Sequence, residues 1–175
     1  MGTAGSVAAD PLVRFGLTSG ANRQTREGVE FGPMLAAGLS AGRFTGEINY
    51  SYLSFVDPET ATHRSGVALR ADLASWGDAR YMKTLYGEAG VSHRWGTWRL
   101  GNEIDAAERS QNEAHLALGY QLDRKWQLGL RMGIARPDAN QPMCPAGTLC
   151  SQITMDSPTD LVSSVMLEWM FLLGR

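Results

Sequence analysis

The stretch Trp126-Gln127-Leu128-Gly129-Leu130-Arg131-Met132-Gly133-Ile134-Ala135 decides how the rest of the chain is read. Its even positions carry Trp, Leu, Leu, Met and Ile, and its odd positions Gln, Gly, Arg, Gly and Ala. Strict period two belongs to a β-strand, whose successive side chains point to opposite faces. One face here is apolar and the other is small or charged. The run matches the about 9–11 residues that a tilted strand needs to cross a bilayer.

The pattern recurs on both sides of this stretch. Leu12–Thr18 sets Val13, Phe15 and Leu17 against Arg14 and Gly16. Phe31, Leu35 and Leu39 oppose Glu30, Met34 and Ala36, with Pro33 inside the segment, where it removes a ladder hydrogen bond. After a tight turn at Ala41-Gly42, Phe44, Ile48, Tyr50 and Tyr52 alternate with Thr45, Glu47, Asn49 and Ser51. Val67, Leu69, Ala71 and Leu73 oppose Arg70 and Asp72; Leu85, Ala89, Val91 and Trp95 oppose Thr84, Glu88, Ser92 and Arg94. Gly96-Thr97 reads as a two-residue hairpin turn into a segment containing Trp98, Arg99, Glu103 and Asp105. Leu116, Leu118 and Tyr120 precede a short turn at Asp123-Arg124-Lys125, and a last segment covers Leu161 to Leu172. No segment has helical periodicity beyond a turn or two, so the expected fold is an all-β meander.

Composition narrows the function classes. The 175 residues fit one domain, with residues 1–10 a flexible N-terminus and 136–158 a long loop. A net charge of −2 gives no electrostatic case for nucleic acid. No run of roughly 18 apolar residues exists, which removes a transmembrane helix but not a membrane barrel, where only alternate residues must be apolar. Met1-Gly2-Thr3-Ala4-Gly5-Ser6 lacks the basic start and apolar core of a secretory signal, so the sequence reads as a mature form with an added initiator Met. Cys144 and Cys150 lie close together in a Pro/Gly-rich stretch; a disulfide between them implies an oxidising compartment, with two free thiols as the alternative.

The contents of the polar face separate a membrane barrel from a soluble one. That face combines Gly, Ala and Ser with Arg14, Glu30, Glu47, Arg70, Asp72, Glu88, Arg94, Glu103, Asp105 and Arg131. Signs are mixed and lysine is absent from the set, whereas a solvated surface is usually lysine-rich and glycine-poor. Small residues interleaved with arginines and carboxylates suit a narrow lumen filled by an ion-pair network, because an unpaired charge there is costly. Trp76, Trp95, Trp98, Trp126 and Trp169 all lie at segment ends, where an aromatic girdle meets the bilayer interface. The alternative is five core tryptophans of a soluble, lipocalin-like ligand-binding barrel.

On alternation, girdle and loops, the chain resembles the small bacterial outer-membrane β-barrels of the OmpA/OmpX type over about residues 12–172. The resemblance implies an antiparallel up-and-down transmembrane barrel in the outer membrane, embedded in lipid or detergent, with loops available to an envelope or external protein partner. It departs at the C-terminus, where Phe171 is followed by Leu172-Leu173-Gly174-Arg175 rather than closing on an aromatic. Nine alternating segments are visible while such barrels have even strand counts. Eight strands are expected, with the short first segment the one in doubt; Thr148–Met155 as a tenth strand is the alternative.

Chemistry is sparse. Thr62-His63-Arg64-Ser65, read as a loop, holds a His-x-Ser pair like that of a barrel lipid A deacylase family, which makes a lipid-modifying hydrolase the alternative function. His93 falls on the apolar face beside Trp95, and His115 on the polar face. Glu103 and Asp105 share a face, but their alternation with arginines reads as ion pairing rather than acid–base work. No phosphate-binding Gly loop, nucleophile elbow or metal spacing occurs, so no cofactor or metal is expected. The leading expectation is a non-enzymatic outer-membrane barrel, at most narrowly permeable, because eight strands enclose only enough room for side chains.

Overall fold

The computed structural model describes residues 9–22, 29–55, 60–77, 83–98, 107–122, 126–137 and 162–173, the last of these through its strand pairing. Eight strands follow in chain order: β1 (Asp10–Asn22), β2 (Val29–Ala41), β3 (Phe44–Phe55), β4 (Ala61–Trp76), β5 (Lys83–Trp98), β6 (Ala107–Gln121), β7 (Trp126–Pro137) and β8 (Val162–Leu173). Each pairs antiparallel with the next. β1 returns to β8, from Val13 opposite Leu173 to Asn22 opposite Ser164, and this seam closes the sheet into a barrel. Closure leaves no open edge, which a sheet in hydrocarbon requires.

Alternation along each strand becomes inside and outside. In β2 the outward Phe31, Leu35 and Leu39 are exposed while Glu30, Met34 and Ala36 between them are buried. Leu116 of β6 is 68% exposed, whereas Arg14, Arg94 and Arg131 are almost wholly buried. A soluble barrel has the opposite polarity, so this arrangement overturns the lipocalin-like alternative. Pro33 sits on the outer face of β2, and pairing with β1 runs through it, Leu17 opposite Pro33.

The connections fall into two sets. Residues 42–43, 77–82 and 122–125 join strands at one end, and residues 23–28, 56–60, 99–106 and 138–161 at the other. In the shortest, Gly42 has φ +60°, the left-handed geometry that glycine supplies at the first central position of a type II′ hairpin. In β4 a bulge between Asp72 and Ala74 shifts the register against β5.

Three expectations need correction. The short first segment is β1, a full strand of 13 residues that makes the closing seam. Thr62–Ser65 is no loop but the start of β4, opposite Leu53–Tyr50 of β3. Gly96-Thr97 is no hairpin: both residues continue β5, opposite Thr62 and Ala61 on one side and Arg109 and Glu108 on the other. Gly96 has φ +142°, and a Cβ there would strike the Ala61 carbonyl and the Thr62 backbone. The glycine marks a close strand approach, not a turn. Residues 99–106, and with them the segment read between Trp98 and Asp105, lie outside the described residues, as does Thr148–Met155.

Leu116 tests the orientation of the wall. Arginine at the membrane midplane on the lipid face of such barrels costs about 2–4 kcal/mol. Leu116→Arg is therefore expected to lower folding stability by that amount in urea titrations of the protein refolded into phosphatidylcholine vesicles. Unchanged stability would mean that this face does not meet lipid.

Candidate functional site

Among the described residues, the side chains that strand parity aims inward are mostly polar and are buried along the length of the barrel. Along β5 these are Thr84, Tyr86, Glu88, Ser92, Arg94 and Trp98. Near the end with the short connections, the Arg70 guanidinium lies over the Tyr86 ring, 3.5 Å from its centre. Arg70 also donates to Gln127 Oε1 at 2.6 Å and stands 3.7 Å from the part-exposed Asp72 carboxylate. Gly119 lies directly beneath the Tyr86 ring, in space that a Cβ would occupy. Gly90 is placed in the same way against the ring of His115.

Glu88 is the junction of the middle layer. Its carboxylate lies 3.1 Å from Arg131 Nη2, 3.4 Å from His115 Nε2 and 3.8 Å from Arg14 Nη2. Arg14 pairs in addition with Glu47 of β3. Four strands besides β5 thus converge on one carboxylate or its immediate partner.

The upper layer is built on Arg94, whose two terminal nitrogens fork onto Glu30 across the barrel at 3.2 and 2.6 Å. Such bidentate, charge-assisted pairs are the strongest hydrogen bonds available to side chains. Glu113 stands 3.8 Å from Arg64 and 4.0 Å from Arg94, and accepts from Gln111 Nε2 at 2.7 Å and from Ser92 Oγ at 3.4 Å. Above it, the indole of Trp98 lies 5.1 Å from the Arg94 guanidinium carbon, and Arg109 Nε donates to the Trp98 carbonyl at 3.3 Å.

Of the residues expected in the lumen, Arg14, Glu30, Glu47, Arg70, Glu88, Arg94 and Arg131 are buried inside and brought together as described. Asp72 lies near the end with short connections and pairs with Arg70. Glu103, Asp105, Cys144 and Cys150 lie outside the described residues. Arg64, Glu113 and Gln111 were not expected in the lumen; Arg64 fell in a supposed loop, and Gln111 and Glu113 preceded the recognised start of their segment, whereas Gln127 lies on the polar face that the period-two pattern assigned to it.

Of the tryptophans, Trp76 faces outward with its ring 5.5 Å from Tyr120, and Trp126 faces outward close to the same end. Trp95 lies on the outer face near the other end. Trp98 is a correction: it is 2% exposed and points into the lumen, because it continues the even, inward positions of β5, whereas Trp95 holds an odd, outward one. Trp169 belongs to β8, opposite Leu17 and Leu128.

Among the described residues, the outer wall carries a hydrogen-bonded polar group on β3 to β6. Tyr50 Oη lies 2.7 Å from His63 Nδ1, and Asn112 Oδ1 3.0 Å from His93 Nδ1. Ser65 faces His93 directly across the strand pair. Its hydroxyl makes no hydrogen bond to either imidazole among the described residues. The His63–Ser65 pair thus lies on the outer face, but without the nucleophile-to-base contact that nucleophilic catalysis uses.

Breaking a buried ion pair from one side costs about 3–5 kcal/mol, because the other charge is left uncompensated. Glu88→Leu is therefore expected to destabilise the barrel by that amount in urea unfolding from vesicles. Adding Arg131→Met should recover a substantial part of the loss. Strict additivity of the two substitutions would show that the charges do not couple.

No protein-family model matches the sequence, and neither does any curated protein. Among solved structures, the chain is similar to Neisserial surface protein A (NspA), at 12% identity and a TM-score of 0.60, covering 96% of this chain and 99% of that one. It is also similar to the N-terminal β-barrel domain of OprF from Pseudomonas aeruginosa, at 10% identity and a TM-score of 0.54, covering 95% and 100%. At such identities the likeness is one of fold, a closed eight-stranded antiparallel β-barrel.

Proposed function

We propose that this chain is an integral protein of the bacterial outer membrane, without catalytic activity, whose barrel anchors four surface connections to a plugged, rigid base. The observation that carries the reading is the inverted wall: paired arginines and carboxylates inside, Leu116, Ile48, Val67 and Leu130 outside. That polarity suits a hydrocarbon solvent and no other.

The distribution of chain supports the second half of the proposal. Connections at one end are short, and the four at the other end include residues 138–161, which carry Cys144 and Cys150. In this reading the longer connections face the outside and meet envelope or external partners, with the cysteine pair bridged in the oxidising environment. Trp76 and Trp126 sit at the inner interface and Trp95 at the outer one.

Permeation is restricted by the same ion pairs. Arg94–Glu30 spans the lumen between β5 and β2, and Trp98 lies over it. The purified protein is expected to migrate faster unheated than boiled on detergent gels, and to form no porin-sized channel in planar bilayers. Glu30→Ala with Arg94→Ala should raise the frequency of small conductance events. Large, stable channels from the unaltered protein would overturn the plugged-lumen reading, and identical migration with and without heating would overturn the barrel in the membrane.

A further inference from the structure

The outward polar group on β3 to β6 has no part in the lumen. It comprises two adjacent cross-strand rows. One contains Tyr50, Ser65, His93 and Asn112; the other contains Tyr52, His63, Trp95 and Ser110. The next row, away from the long connections, is Ile48, Val67, Val91, Ala114 and Ile134, all apolar. The wall thus changes from apolar to hydrogen-bonding within one row.

The group is ordered by its own contacts. Each imidazole uses Nδ1 toward a cross-strand neighbour, His63 toward Tyr50 and His93 toward Asn112. Both rings stack on Trp95, at 5.5 Å and 15° for His63 and 5.8 Å and 21° for His93. Tyr52 packs against His63 from the other side, at 5.2 Å. The Nε2 atoms of the two imidazoles and the hydroxyls of Tyr52 and Ser65 have no protein partner among the described residues. With the Tyr50 hydroxyl donating to Nδ1, the proton of neutral His63 sits on Nε2; His93 instead donates from Nδ1 to the Asn112 oxygen, so the Nε2 of its neutral ring is an acceptor. His63 Nε2–H and the hydroxyls of Tyr52 and Ser65 offer three donors, and the two rows contain no carboxylate on β3 to β6.

Beside them the wall is grooved. Small residues, Ser65 and Ala114, stand between Val67, Val91 and Ile134, leaving a furrow of about 510 Å³ that His93 and Asn112 border. Apolar walls that lead to a cluster of donors match an acyl chain that leads to an oxygen-rich headgroup.

We propose that this furrow and its polar border form a binding site for a phosphate-bearing lipid of the outer leaflet. One acyl chain lies between Val67, Val91 and Ile134, and the phosphate oxygens accept from His63 Nε2–H, the Tyr52 hydroxyl and the Ser65 hydroxyl. The proposal rests on the reading that the outer wall faces lipid. The phosphate supplies acceptors where the wall supplies donors, and hydrogen bonds to an ionised acceptor are about twice as strong as neutral ones. A headgroup bearing only a cation finds no anionic partner in these rows.

Native mass spectrometry of the full chain, ejected from detergent micelles, tests the site with three probes: dimyristoyl phosphatidic acid, dimyristoylglycerol and sodium phosphate. The unaltered protein should hold phosphatidic acid about tenfold more strongly than dimyristoylglycerol, corresponding to one or two charge-assisted hydrogen bonds. Sodium phosphate at the same concentration should neither bind nor compete. His63→Leu with His93→Leu should abolish the preference for the phosphate, and Tyr52→Phe, which changes only a hydroxyl, should lower it. Val67→Trp, which fills the furrow, should weaken binding of both lipids. A preference that persists in the double leucine variant, or sodium phosphate binding as well as the lipid, overturns the site. Heat-dependent gel migration of each variant is read in parallel; its loss in the unaltered protein would instead remove the membrane reading itself.

Discussion

Glu88 sits on β5 among Arg131 of β7, His115 of β6 and Arg14 of β1, and Arg14 carries the contact on to Glu47 of β3. None of these charges could face hydrocarbon, where an ionised side chain costs several kcal/mol even after relaxation. The barrel gives them one another. Around that junction the remaining features follow: strand parity holds the charges inside, closure at the β1–β8 seam shields them, and the outer face is left to Leu, Ile, Val and Phe. Gly90 makes the junction fit, since a side chain there would displace His115, and Gly119 leaves the same room for Tyr86 in the layer under Arg70.

A lumen built in this way differs from a hydrophobic core in what it tolerates. Apolar cores accept many substitutions of similar volume. Here Glu88 and Glu113 each face more than one basic side chain, and the partners come from strands far apart in sequence, as Arg94 and Glu30 do across 64 positions. Such pairs add little net stability over an apolar substitute, but losing one partner strands the other. The interior therefore fixes which strands oppose which.

How much of this could be read from the sequence depended on where polarity differed between the two faces. In β7 it differs at every position, and the strand was legible almost to its last residue. In Thr62–Ser65 and in Ala107–Glu113 it does not: outward His63, Ser65, Ser110 and Asn112 alternate with inward Thr62, Arg64, Arg109 and Glu113, so both faces are polar and period two vanishes. These are the ends of β4 and β6 toward the long connections. Their inward half supplies Arg64 and Glu113 to the lumen, and their outward half supplies the imidazole rows. Gly96 misled for a related reason. Glycine signals a turn in a sequence, and only the approach of the Ala61 carbonyl, a contact between strands, explains its presence inside β5.

The cross-lumen pairing has a consequence for how the chain reaches its membrane. A hairpin such as β1–β2 brings in Arg14 and Glu30, whose partners Glu47, Glu88 and Arg94 arrive only with β3 and β5. Inserted alone, that hairpin would carry two unmatched charges into hydrocarbon. The order of events is thereby constrained: the sheet gains by staying at the wet surface, or against an assisting protein, until most of its strands have curled together, and then crossing as a nearly closed cylinder. The ion pairs that cross the finished barrel thus also favour concerted insertion over strand-by-strand entry.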